Sequence, residues 1–185
     1  MGNSYVINEN GEILREDYFF TNVKEQKPQP LQCKRKAWVM FLLNILTIGI
    51  YGTVVVFAMG KETNITCESD GKNTKGFWPT LGLSVITLGI YAIVWIVGWM
   101  KRESDFLKLR KEPVVITGGV YVLLAIVQAV LQNAIIATTQ NFVLSLVVAW
   151  IISFILISLV IKKHNRVNEI YNLELFPRNI QEARK

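Results

Sequence analysis

Between Ala37 and Ile161 the chain has three stretches without a single Asp, Glu, Lys, Arg or His: Ala37 to Gly60, Phe77 to Met100 and Val114 to Ile161. Each is long enough to cross a bilayer whose hydrocarbon core is roughly 30 Å thick. Water cannot solvate a backbone inside hydrocarbon, so lipid-exposed runs of this length must fold as helices that satisfy their own hydrogen bonds. An all-α integral membrane protein is the expected fold class. Hydrophobic residues make up 51% of the 185 and lie in unbroken blocks, which points to lipid rather than water as the solvent.

The run from Val114 to Ile161 is too long for one span, and its polar cluster Thr138-Thr139-Gln140-Asn141 predicts a tight turn. Four segments follow, at about 37 to 60, 77 to 100, 114 to 137 and 142 to 161. Lys and Arg number six in the N-terminal tail, three in the next connection (Lys61, Lys72, Lys75), five in the third, none in the fourth and six in the C-terminal tail. Placing both termini in the cytoplasm puts seventeen of them inside and three outside, as the positive-inside rule requires. The expected organisation is a cytoplasmic N-terminal tail (1–36), a four-span membrane domain (37–161) and a cytoplasmic C-terminal helix and tail (162–185).

The first two runs are versions of one another. Trp38, Leu43, Thr47, Gly49, Ile50, Tyr51, Val54 and Lys61 recur forty residues later as Trp78, Leu83, Thr87, Gly89, Ile90, Tyr91, Val94 and Lys101. If each run crosses once, the two copies point in opposite directions while carrying Lys at the same end. Alternatively each bends at its helix-break motif, Thr47-Gly49-Tyr51 or Thr87-Gly89-Tyr91, since Gly tolerates a turn and Thr can bond to freed backbone groups. Each copy is then a re-entrant helical hairpin. Hydrophobic length and charge bias favour spanning helices with a kink.

The copies, Leu46 to Glu62 and Ile86 to Glu103, resemble the tandem Leu-Thr-x-Gly-Ile-Tyr pattern of the bacterial membrane protein family catalogued as domain of unknown function 4234. The Asn-rich end, Lys162 to Asn172, is similar to the polar helix that closes those proteins, so the resemblance covers about three quarters of the chain. Two departures are visible: Val55 stands where an aromatic is usual, and Ala92 replaces the last Gly of the motif. The resemblance implies a bacterial cytoplasmic membrane, multi-pass, and implies no reaction.

Chemistry is sparse in the sequence. The spans carry no ionisable group of the kind that marks proton relays or ion paths. His164, the only histidine, is expected to be exposed just past the last span, and the acidic residues fall in tails and loops. No catalytic, cofactor-binding or metal residues are expected, and an enzyme is disfavoured. Cys33 and Cys67 read as unpaired thiols. A net charge of +6 finds its counter-charge in anionic headgroups of the lipid bilayer rather than in nucleic acid, because the basic residues flank the apolar runs.

Within the spans, Tyr121, Gln128 and Gln132 share a face of segment three and could line a cavity, although interhelical hydrogen bonding is the simpler role. Ser145, Ala149 and Ser153 form a small-residue packing ladder that allows close helix approach. Trp38 and Trp99 sit beside basic clusters as interfacial anchors do. At the ends, Asn8-Glu9-Asn10-Gly11 between apolar residues predicts a β-hairpin, residues 17–30 a linker, and Val167, Ile170, Tyr171 and Leu175 an amphipathic extension up to Pro177. The functional expectation is a non-enzymatic accessory or scaffold protein that acts through helix packing and its tails, with a homo-oligomer or another membrane protein as partner. Two alternatives stand beside it: a small pore, carrier or lipid-handling protein, and an immunity protein against a membrane-active toxin.

Overall fold

The computed structural model describes residues 5–7, 13–15 and 29–176. The N-terminal unit holds two short strands, β1 (Tyr5–Ile7) and β2 (Ile13–Arg15), paired antiparallel with Val6 opposite Leu14. The turn expected at Asn8 to Gly11 lies outside the described residues, as do most of the linker and residues 177–185.

The larger unit, from Leu31 on, is helical: α1 (Ala37–Leu46), α2 (Ile50–Thr66), α3 (Phe77–Ile86), α4 (Ile90–Leu109), α5 (Gly118–Thr139) and α6 (Phe142–Leu175). Neither of the first two apolar runs forms one continuous helix. Each breaks at three residues and folds back on itself, so four spanning helices give way to two helical hairpins, α1–α2 and α3–α4, followed by two long helices.

The reversal is built by the repeated motif. Thr47 Oγ1 donates to the Leu43 carbonyl at 2.7 Å and accepts from Tyr51 N–H at 2.9 Å, so one hydroxyl closes α1 and opens α2. Thr87 does the same between Leu83 and Tyr91, at the same two distances. Gly49 and Gly89 turn the chain with φ of 88° and 89°, a left-handed conformation that glycine adopts without a Cβ penalty. Their N–H groups reach back five residues, to Asn44 and Ser84, each at 2.7 Å.

The copies differ from one another at positions 44/84 and 52/92, and the two differences are matched in size. In the first hairpin the Asn44 side chain accepts a hydrogen bond from Gly52 N–H at 3.0 Å, and a Cβ on Gly52 would lie 2.1 Å from that oxygen. In the second, Ala92 does carry a Cβ, and the position equivalent to Asn44 holds the shorter Ser84.

The hairpins are unequal in their arms. At 1.5 Å per residue α1 and α3 are each about 15 Å long, whereas α2 and α4 are about 25 and 30 Å, so the second arms run on past the first. Their tips are apolar and open: Ile48 is 93% and Leu88 94% exposed.

Helices α5 and α6 are long and apolar enough to cross a membrane, and no residue in the most apolar window of α5 is buried. Such an unburied stripe is not the core helix of a soluble protein, whose apolar face would be covered. The reversal between them falls at Gln140, in a left-handed conformation, and Asn141, whose side chain caps α6 by accepting from Leu144 N–H at 2.9 Å. At about 51 Å, α6 outruns any hydrocarbon core by several turns.

Candidate functional site

Three helix ends, those of α2, α4 and α6, meet beyond the apolar segments, and each repeats the same sequence of layers. Met59, Met100 and Val160 belong to one buried apolar cluster, while Cys67, Phe106, Leu107 and Val167 belong to a second. Between these clusters each helix contributes a polar turn: Glu62 and Thr63 from α2, Glu103 and Ser104 from α4, Lys163 and His164 from α6. The result is a polar layer held between two apolar ones.

His164 is its hub. The imidazole is fully buried, with Nδ1 2.6 Å from Glu103 Oε1 and Nε2 2.9 Å from Glu62 Oε2, so one ring ties together all three helices. Burial works against charging this ring. The charge and hydrogen bond of Glu103, then those of Glu62, overcome that penalty and raise its pKa above 6.5.

Glu62 is similarly over-determined. Burial alone would push its carboxyl up, but hydrogen bonds from His164, Arg35 and Asn168, together with the Arg35 charge, lower its pKa to about 2. Arg35 grips it with both terminal nitrogens, and Asn168 Nδ2 donates to it at 2.6 Å. Lys163, fully buried, donates to the Met100 carbonyl at 2.6 Å and to Ser104 at 2.9 Å, with the Glu103 carboxylate 3.8 Å away. Its pKa is lowered by burial, only partly offset by the Glu103 charge. Trp99 Nε1 donates to the Thr63 hydroxyl at 2.8 Å, and that hydroxyl lies 3.0 Å from Glu103 Oε1.

An extended strap, residues 31–35, lies along the last part of α6. Asn172 exchanges two hydrogen bonds with the Leu31 backbone, at 2.8 and 2.7 Å, and Asn165 does so with Arg35, at 3.2 and 2.9 Å. Asn168 donates to the Gln32 carbonyl at 2.9 Å. These side-chain amides act as a neighbouring strand would, which is the structural use of the Asn-rich stretch.

Outer ion pairs complete the polar end. Arg102 binds Asp70 at 2.7 and 3.0 Å, Arg110 binds Glu174 at 2.6 and 2.8 Å, and Arg166 bridges Glu112 and Glu169. Cys67 is buried and its thiol pushed up to about 11, mainly by desolvation, which leaves it a poor nucleophile.

Several expectations need correction here. His164 is not an exposed residue, and Glu62 and Glu103 lie inside helices rather than in loops. Trp99 is 3% exposed and points into the core instead of anchoring an interface. Trp38 and Trp78, at equivalent positions of the two copies, are exposed.

The residues singled out within the apolar runs fall in two places. Thr47, Gly49, Tyr51, Thr87, Gly89 and Tyr91 form the hairpin bends. Gln128 reaches from α5 to Ser153 Oγ at 2.9 Å and to the Ala149 carbonyl at 3.3 Å, and Ser145 donates to the Gln132 carbonyl at 3.4 Å. Ser145 and Ala149 are buried in that α5–α6 seam. Tyr121 stands apart from them, on the wall of an apolar cavity of about 80 Å³ beside Trp99 and Met100.

Both ring nitrogens of His164 and the carboxylates of Glu62 and Glu103 face one another. Such an arrangement holds helices in place and carries a charge state that depends on pH. Among the described residues no group of three or more His, Cys, Asp or Glu is placed to hold a metal ion.

Residues 35–77 match the family described as Domain of unknown function (DUF4234). The match starts at Arg35 and ends at Phe77, so it takes in the first hairpin whole, with Arg35, Glu62 and Thr63 of the polar layer, and stops as the second hairpin begins. No curated protein and no solved structure matches the chain.

Proposed function

We propose that the protein is a scaffold or accessory protein of a bacterial cytoplasmic membrane, which holds a helical platform at the inner surface by two spans and two half-depth hairpins. The observation that carries this reading is the fold-back of both copies, with apolar tips and charged bases. First arms of about 15 Å match half of a 30 Å core, the depth of one leaflet. Ile48 and Leu88 then lie in lipid, and Glu62 and Glu103 lie at the cytoplasmic edge.

Charge distribution supports the same arrangement. With two hairpins entering and leaving on one side, Lys61, Lys72 and Lys75 join the other basic residues in the cytoplasm, and the α5–α6 turn, the one segment on the far side, carries no Lys or Arg. The orientation problem of the copies also disappears, because both hairpins enter from the same face.

A scaffold role rests on how the polar layer uses its groups. Glu62, Glu103, Lys163 and His164 bind one another across three helices, which stabilises a platform, while the ends of α4 and α6 present the Arg110–Glu174 and Arg166–Glu112 pairs outward. A partner or a second copy is the expected client of that surface.

Two measurements test the proposal. In a Cys33→Ser, Cys67→Ser background, cysteines placed singly at residues 68–73 should react with an impermeant maleimide in inside-out vesicles and not in intact spheroplasts; the reverse pattern overturns the hairpin topology. Purification in mild detergent should retain a stoichiometric second polypeptide or a second copy, and a monodisperse lone chain retires the scaffold role.

A further inference from the structure

The two hairpins share more than their bends, because each has a groove at its mouth, and the two grooves are lined by residues at the same forty-residue offset. Tyr51, Val55 and Ala58 wall the first, of about 350 Å³, and Tyr91, Trp95 and Gly98 wall the second, of about 270 Å³. The segment leading into each hairpin supplies the rim: Lys34 and Lys36 before α1, Lys72 and Lys75 before α3, with Lys101 joining from α4. All five lysines are exposed, and among the described residues none of them forms an ion pair. Arg35 and Arg102, which also line the grooves, are held by Glu62 and Asp70, and Asp105 is the carboxylate on the second groove's wall.

We propose that these grooves are paired binding sites for phospholipids with anionic headgroups, one per hairpin. The proposal rests on the membrane reading above and specifies which lipids the hairpins hold. Its physical basis is the order of chemistry along each groove. Lysine ammonium groups stand at the rim, where a phosphate would lie. Tyrosine and an apolar wall continue from there toward the tip, where an acyl chain would lie. Exposed Trp38 and Trp78 mark the same level on both hairpins, the depth at which indole sits among headgroups.

A free phosphate would use the rim alone. An amphiphile uses rim and wall together, and lysine stems lengthen the apolar contact while their charges remain in water. The second groove carries three lysines and the indole of Trp95, whose Nε1 donates to the Lys75 carbonyl at 2.7 Å and so fixes the rim against the wall. The first has two lysines and Val55 in place of that indole. Asp105 offsets one lysine charge of the second groove, so the two rims are matched and the added indole contact makes the second site the tighter of the two.

Native mass spectrometry of the full chain, stripped of lipid in detergent and then titrated with phosphatidylglycerol or with phosphatidylcholine of the same chains, decides the matter. The expected result is two retained phosphatidylglycerol molecules and no comparable retention of phosphatidylcholine. Lys34→Ala with Lys36→Ala should remove the weaker, and Lys72→Ala with Lys75→Ala and Lys101→Ala the tighter, with unchanged helical content by circular dichroism. Equal retention of both lipids, a count indifferent to the substitutions, or displacement by soluble glycerophosphate overturns the proposal. Ile48→Cys and Leu88→Cys, each in a Cys33→Ser, Cys67→Ser background and tested in membranes for protection from an impermeant maleimide, separate the two failures. Protected tips without phosphatidylglycerol sink the sites alone, and reactive tips sink the hairpin topology beneath them.

Discussion

Arg35 grips Glu62 with both guanidinium nitrogens although twenty-seven positions separate them in the chain. Were the intervening residues one straight helix, the two would stand about 40 Å apart. In a Cys33→Ser, Cys67→Ser background, Arg35→Cys with Glu62→Cys should therefore cross-link within one molecule by a short bismaleimide. Failure to cross-link in folded protein would restore the spanning helix.

Asn44 and Gly52 make a second pair whose logic is open to exchange. Gly52→Ala should destabilise the first hairpin by about 1–3 kcal/mol, since the new Cβ meets Asn44 Oδ1 at 2.1 Å. Adding Asn44→Ser reproduces the residues found at 84 and 92, and should recover most of the loss. A thermal-melt cycle of the two single variants and the double one checks this, and additive effects would refute it.

The polar layer predicts a stability optimum in mildly acidic solution. His164 has its pKa raised above 6.5, so its contribution is complete below that value and fades as pH rises through the folded-state pKa. Glu62 is lowered from 4.5 to about 2, so its contribution is complete above 4.5 and fades as pH falls toward 2. Melting temperature in detergent should thus be highest between about 4.5 and 6.5. His164→Ala should cost about 3–5 kcal/mol by taking the bridging imidazolium from two buried carboxylates, leaving Glu62 to Arg35 alone and Glu103 to Lys163 at 3.8 Å, and should remove the slope that begins just above pH 6.5. A wild-type slope retained in that variant would assign the titration elsewhere.

Gly118 opens α5 directly against α4. A Cβ there would lie 2.8 Å from Val97 Cα, and backbone cannot step aside as a side-chain end can. Gly118→Ala should lower the melting temperature, by about 1–3 kcal/mol of stability, whereas Gly119→Ala, with open space around it, should be neutral or slightly stabilising. Equal effects at the two positions would argue against this helix crossing.

Much of the architecture is written locally. The repeat, its Thr and Gly bends, the turn at Gln140 and the small residues of α6 are all read from neighbours within a few positions. The direction of each hydrophobic run is not. Twenty-four apolar residues fit a full crossing and a fold-back equally well, and charge bias tolerates both. Lys61 and Lys101, at the same end of each copy, were the discriminating signal, because identical polarity asks for identical entry.

The polar layer was hidden for a different reason. His164 finds its partners 61 and 102 positions away, beyond any local pattern. A trace exists in register: on α2, α4 and α6 alike, an apolar residue, a charged turn and another apolar residue follow at intervals of three or four. Searching the helix ends for that shared sequence of turns, rather than the apolar runs for isolated polar residues, would have found it.

His164 is also late in synthesis. Glu62 and Glu103 leave the ribosome well before the imidazole that joins them, so both hairpins are made with carboxylates still lacking that cation. The N-terminal strap waits equally, since Asn165, Asn168 and Asn172 follow still later. Assembly of the polar end is thereby tied to completion of α6, and a chain stalled before that helix would leave two hairpins with nothing to clasp them.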